Sequence, residues 1–187
     1  MTSEKKQRFF VALLPPQDIQ AYANGIKQEF ADRYESRAAQ KSPPHITLQA
    51  PFEWQWNELA QLEQQLSGFA AQQNPISITL DGFAAFPPRV LFIQVQRSSK
   101  LVTLQAELAA WLEEKLNLVD PRSTRRSFQP HMTVAFRDLT KQNFRLAWQE
   151  FQGRSLHFEW TATHLTLLVH TGQQWIVHQT FPFQAEA

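Results

Sequence analysis

Two short stretches of this sequence repeat one pattern with chemical potential: Pro44-His45-Ile46-Thr47-Leu48 and Pro130-His131-Met132-Thr133-Val134, 86 positions apart. On an extended strand residues i and i+2 share a face, so His45 points the same way as Thr47, and His131 the same way as Thr133. Imidazole titrates near neutral pH, so one ring can accept a proton while a second donates one. Threonine hydroxyls donate to phosphate oxygens. Brought together across a cleft, the four side chains suit a small anionic reacting group. A cyclic phosphodiester needs these parts: a base for water, an acid for the departing sugar oxygen, and donors for the developing charge.

Other side chains compete for such a role. His164-Leu165-Thr166 is a third copy that lacks the preceding Pro, and His170 would share its strand face. We read His164 as cleft lining or structure, and His157 and His178 as structural. Arg89, Arg122, Arg125, Arg126 and Arg137 carry the forked guanidinium that grips phosphate, with Arg126 and Arg137 the preferred substrate-binding candidates. Phe52, Trp54 and Trp56 suit either base stacking or loop anchoring. The chain contains no Cys, no His-Glu-x-x-His helix, no Gly-rich phosphate loop and no Gly-x-Ser-x-Gly elbow. Thiol chemistry is excluded, nucleotide triphosphatase and serine-hydrolase readings are disfavoured, and neither a metal nor a cofactor is expected.

The elements that must position these residues follow from hydrophobic spacing. Strands are expected at 9–14, 45–48, 76–80, 89–95, 131–136, 156–160, 162–170 and 175–178. Helices are expected from Asp18 to about Ala38, and around Trp56–Phe69, Leu101–Leu116 and Phe144–Phe151. Residues 1–8 read as a frayed end, Pro51-Phe52 as a turn or loop, and Asp81-Gly82 as a turn or bulge. The order strand, helix, His-x-Thr strand, helix begins at residue 9 and again at 89. That repetition predicts one domain over 1–187, built from two packed, internally duplicated lobes. The expected class is α+β, with antiparallel sheets around a central cleft.

With 187 residues the chain is long enough for a substantial core, and 18 Lys and Arg against 17 Asp and Glu give no drive toward long polyanions. No apolar stretch approaches the roughly 20 residues of a membrane span, so a soluble cytoplasmic protein without a membrane partner is expected. No obligate protein partner is expected either.

The paired motifs resemble the two HxTx signatures of the 2H phosphoesterase superfamily, and more narrowly the LigT-like RNA 2',3'-cyclic phosphodiesterases or 2'-5' RNA ligases. The segments Arg8–Ala12, Phe86–Val90 and Phe181–Phe183 strengthen the likeness, which covers almost the whole chain. The chain departs from the usual pattern after each signature, with Gln49–Trp54 in the first half and Ala135-Phe136-Arg137 in the second. The resemblance implies a bilobal, pseudo-twofold fold and an enzyme acting on an RNA end or small nucleotide that bears a cyclic phosphate. It implies His131 as base, His45 as acid, Thr47 and Thr133 as phosphate donors, and a 2'-phosphomonoester product. Alternatives are another cyclic phosphate, such as ADP-ribose 1'',2''-cyclic phosphate, a 2'-5' linked oligonucleotide, or an RNA-end-binding module without turnover.

Overall fold

The computed structural model describes residues 5–120 and 127–184. The chain runs β1 (Lys6–Leu13), α1 (Gln17–Tyr34), β2 (Ile46–Gln55), α2 (Leu59–Ala70), β3 (Ile76–Phe86), β4 (Val90–Val95), α3 (Ser99–Leu116), β5 (His131–Ala135), α4 (Lys141–Phe151), β6 (His157–Ala162), β7 (His164–His170) and β8 (Trp175–Pro182). The strands form two four-stranded sheets with orders β2-β1-β7-β8 and β5-β4-β3-β6, and every pairing is antiparallel. The expected bilobal α+β fold is therefore present. Each of the two Pro-His-x-Thr segments lies on or beside an edge strand, and the two edge strands, β2 and β5, meet.

Alternation along the strands sorts the side chains between core and cleft. In β1, Phe9, Val11 and Leu13 join the main core, whereas Phe10 and Ala12 form a second small cluster with Leu168 on the opposite face. Ile46 and Leu48 of β2, and Met132 and Val134 of β5, also enter the main core, which turns their His and Thr neighbours outward. The main core fills the space between the sheets and helices α1 to α4.

The helices exchange sides. Helix α1 follows β1 of the first sheet but packs against β5 of the second, and α3 follows β4 of the second sheet but packs against β2 of the first. Both helices have 18 residues and both end in a left-handed residue, Glu35 or Asn117. Each end closes with a backbone bond between residues six positions apart, Ser36 N–H to Phe30 O and Leu118 N–H to Leu112 O, both 3.1 Å. That motif satisfies carbonyls a helix end otherwise leaves unpaired. On the other side of α1, Arg33 grips Glu150 of α4 with both guanidinium nitrogens, at 2.8 and 2.6 Å, and the pairing drives the Glu150 carboxyl down to about 2.

Several boundaries differ from the sequence reading, and β3 and β8 run on to Phe86 and Pro182. The Arg8 end is a strand: Lys6, Gln7 and Arg8 pair with Gln55, Trp54 and Glu53. The loop expected at Pro51-Phe52 is instead the continuation of β2, and Pro51 is tolerated there because an edge strand can forgo a ladder N–H. Helix α1 stops at Tyr34, short of Ala38, where Glu35 turns left-handed. The Asp81-Gly82 site is a bulge inside β3, with Gly82 at φ 70°.

The α1–α4 contact is tested by Phe151, which is fully buried and lies 4.8 Å from the Phe30 ring and 5.0 Å from the Phe83 ring. Phe151→Ala is expected to cost about 3–5 kcal/mol. A urea unfolding midpoint that barely moves would contradict this packing.

Candidate active site

Each key imidazole is tied back to its own chain. The Nδ1–H of His45 donates to the carbonyl of Pro43 at 2.7 Å, and the Nδ1–H of His131 donates to the carbonyl of Gln129 at 2.7 Å. A carbonyl oxygen can only accept, so Nδ1 must carry the proton in each neutral ring and Nε2 keeps its lone pair. The intervening residues are Pro44 and Pro130. Proline fixes φ and holds the preceding residue extended, which turns the carbonyl two residues upstream toward the ring.

The strands then bulge at matching places. Thr47 pairs with Ala12 and the next pair is Gln49 with Val11, leaving Leu48 as the extra residue. Thr133 pairs with Phe92 and the next pair is Ala135 with Leu91, leaving Val134 extra. Bulges of this kind re-aim side chains at the rim of a site. The Leu48 bulge is held from behind by α3, whose Gln105 amide donates to the Leu48 carbonyl at 3.2 Å. Thr47 and Thr133 are half-buried, and neither hydroxyl bonds to a described residue.

The two rings rest on different supports. Phe92, opposite Thr133, lies 5.3 Å from the His131 ring, and Phe86 meets the same ring edge-on at 5.2 Å. In the first lobe the residue opposite Thr47 is the small Ala12, and the His45 ring leans on Phe10, 4.7 Å away. Desolvation by these surroundings pushes the His45 imidazole down to about 4 and lowers that of His131. The Lys27 ammonium and His131 itself push His45 further in the same direction, which places both within electrostatic reach of it. Both rings are therefore neutral at pH 7 in the free protein.

Lys27 escaped the sequence reading because it occupies an ordinary position on an amphipathic helix. It is 2% exposed, and its Nζ donates to the Ser42 carbonyl at 2.8 Å, one residue before the Pro43 that holds His45. Burial lowers its ammonium to about 8, so it remains mostly charged at neutral pH. No sequence signal marks a buried lysine, since its burial follows from where α1 packs.

The remaining candidates separate. Arg137 is exposed just beyond β5 at φ 60°, with its guanidinium 4.9 Å over the Phe136 ring. Arg126, with Arg122 and Arg125, lies outside the described residues. Arg89 is exposed in the turn between β3 and β4. His164 bonds to the Thr163 hydroxyl at 3.2 Å and lines a hollow with Pro75, Thr180 and Phe183. His178 pairs with Glu63 at 2.7 Å, and exposed His157 lies near Asp81 and Glu159. Phe52 and Trp56 pack on Phe9, the core side of β1, and Trp54 bonds the Glu58 carbonyl, so all three anchor a strand end. A further aromatic residue near the site is Trp175, 4.7 Å from Phe10. Among the described residues no group of three or more His, Asp or Glu side chains could hold a metal ion, and no helix is long and apolar enough to cross a membrane.

The Lys27 contact generates a titration prediction. Its positive charge disfavours a second positive charge on His45, so Lys27→Met should raise the His45 midpoint from about 4 toward the ordinary imidazole value. Histidine ring NMR against pH checks this. An unchanged midpoint would mean that the ammonium does not act on the ring.

Comparison with known proteins shows the family and the fold. The profile of the 2'-5' RNA ligase superfamily matches residues 15–174. A protein of Geobacillus kaustophilus (strain HTA426) that carries a phosphoesterase name is 30% identical over 93% of this chain and 95% of its own length. A similarly named protein of Bacillus mycoides is 27% identical over 91% and 94%. Among solved structures, a protein of Thermus thermophilus superposes with a TM-score of 0.69 at 21% identity, covering 96% of this chain and all of the other. E. coli LigT without ligand superposes at 0.67 and 19%, covering 97% and 99%. With its sequence matched over most of its length and its fold superposed on LigT, this chain belongs to the 2'-5' RNA ligase superfamily, the LigT-like 2H phosphoesterases.

Proposed function

We propose that this chain hydrolyses the 2',3'-cyclic phosphate of an RNA end or small nucleotide to a 2'-phosphomonoester, without a metal. The observation that carries the reading is the pair of tethered imidazoles. Two edge strands that meet each carry an Nε2 lone pair and a Thr hydroxyl that bonds to no described residue, which supports one shared site. In related solved structures, E. coli LigT is complexed with 3'-AMP and with phosphate.

In the proposed step His131 Nε2 takes a proton from water as the water oxygen bonds to phosphorus. The bond from phosphorus to the 3' oxygen breaks, and His45 Nε2–H delivers a proton to that oxygen. Thr47 and Thr133 donate to the nonbridging oxygens, where charge accumulates. His45 needs its proton before the step, although the free protein holds its midpoint near 4. The negative charge of the bound phosphate favours the imidazolium and supplies the opposing shift. Because two rings share one anion, they titrate as a coupled pair. A hollow of about 460 Å³ next to His131, walled by Phe86, Phe92, Gln94, Gln129 and Pro130, has the volume of a small-ligand site and suits the nucleoside. If a 5'-hydroxyl replaces the water, the reverse reaction forms a 2'-5' linkage, but bulk water favours hydrolysis.

The test is product-resolved turnover of nucleoside 2',3'-cyclic phosphates and a cyclic-phosphate-ended RNA with chelator present. Wild type should form 2'-phosphate, while His45→Ala and His131→Ala each lose about 10²–10⁴-fold in kcat/KM. Exclusive 3'-phosphate would reverse the assigned leaving oxygen. Absence of turnover on both substrates, with binding retained, would sink the hydrolase reading in favour of an end-binding module.

A further inference from the structure

A second group of charged side chains occupies the cleft face of the first sheet. The ladder that pairs Phe9 with Val169 brings the next residues, Arg8 of β1 and His170 of β7, side by side, and His170 pairs in turn with Trp175 of β8. The Arg8 guanidinium lies 5.4 Å over the Trp175 ring, and the His170 ring meets that indole edge-on at 4.8 Å. Trp175 touches Phe10, and Phe10 touches His45, each at 4.7 Å. The group therefore adjoins the two-histidine centre through two aromatic rings.

His170 is held in the opposite sense from the other two imidazoles. The backbone N–H of Gly172 donates to its Nδ1 at 3.1 Å, so the neutral ring carries its proton on Nε2 and offers a donor. Arg8, Lys41 and Arg137 all lie near enough to disfavour a positive charge on this ring. Lys41 ends the short 3-10 turn that precedes His45, and Arg137 comes from the other lobe. Among the described residues none of these three cations is within salt-bridge distance of a carboxylate, although Glu53 pairs with Arg8 in the ladder. Arg8 and the neutral N–H donor of His170 meet on the Trp175 ring, with Lys41 and Arg137 within electrostatic reach, and an anion relieves the repulsion among like charges. The indole under Arg8 orients the guanidinium while leaving its N–H fork for oxygen acceptors.

We propose that Arg8, His170 and Trp175, flanked by Lys41 and Arg137, form a second phosphate subsite that takes the phosphate on the 5' side of the reacting nucleotide. The inference rests on the cyclic-phosphate reading and narrows it. The preferred substrate is the end of an RNA strand, or a nucleotide with a 5'-phosphate, rather than a nucleoside cyclic phosphate alone.

The test compares adenosine 2',3'-cyclic phosphate with the same molecule bearing a 5'-phosphate, using wild type, Arg8→Gln and His170→Ala. Wild type should prefer the 5'-phosphorylated substrate by about tenfold or more in kcat/KM, mainly through KM. Each substitution should bring that ratio close to one, and Arg8→Gln should also flatten the salt dependence of KM for the phosphorylated substrate. A wild-type ratio near one, or a ratio that survives both substitutions, overturns the subsite. Arg8 is exposed, so its variant keeps the test sound if His170→Ala misfolds, which thermal unfolding would reveal. If neither substrate turns over, the hydrolase reading has failed, and calorimetric binding decides the subsite independently. Adenosine 3',5'-bisphosphate should then bind wild type at least tenfold more tightly than 3'-AMP, and equal affinities would dismiss the second phosphate.

Discussion

An imidazole at a strand edge can turn about two torsions, and a ring that turns does not present the same nitrogen reliably. Here one hydrogen bond, made twice, removes that freedom: the Nδ1–H of His45 to Pro43 O and that of His131 to Gln129 O. Each bond also selects a tautomer, because its acceptor has no proton to give. It raises the ring's proton affinity while burial lowers it, and burial wins at both rings. The result is a pair of imidazoles that burial holds neutral at pH 7 in the free protein.

The frame around those bonds is made by exchange between the halves. With α1 behind β5 and α3 behind β2, neither sheet is covered solely by helices from its own half of the chain. Gln105 on α3 holds the bulge after Thr47, and Lys27 on α1 holds the segment before His45. A buried ammonium is an expensive tie, since removing such an ion from water costs several kcal/mol. Its position explains its use: it fixes the backbone that fixes the imidazole, and its charge adds to burial in disfavouring a proton on that ring.

The charge distribution follows the same local logic. The chain as a whole has a formal charge of only +1, yet Arg8, Lys41 and Arg137 all lie within electrostatic reach of His170. A balanced total avoids nonspecific attraction to long polyanions, while the local field still favours a short one. The hollow beside His131 is walled by Phe86, Phe92, Gln94, Gln96 and Gln129, with Arg97 as its charged residue.

Much of this arrangement was legible in the linear sequence because it is periodic or covalently local. Alternation in the His-x-Thr strands determined which side chains leave the core, and each preceding Pro determined the extended approach. The repeated order of elements announced two lobes. Lys27, Gln105 and the Arg8-His170-Trp175 group were not legible, because each acquires its role from a neighbour distant in the chain. The boundaries of β1 and β2 failed for a related reason: Lys6–Arg8 and Glu53–Gln55 look irregular alone and become strand only by pairing with one another. Sequence by itself determined the chemical groups and the faces they occupy, since those depend on covalent order and the two-residue strand repeat. Tertiary structure alone decided which carbonyl, cation or aromatic ring each one meets, and with them the protonation state, because burial and electrostatics depend on distances through space.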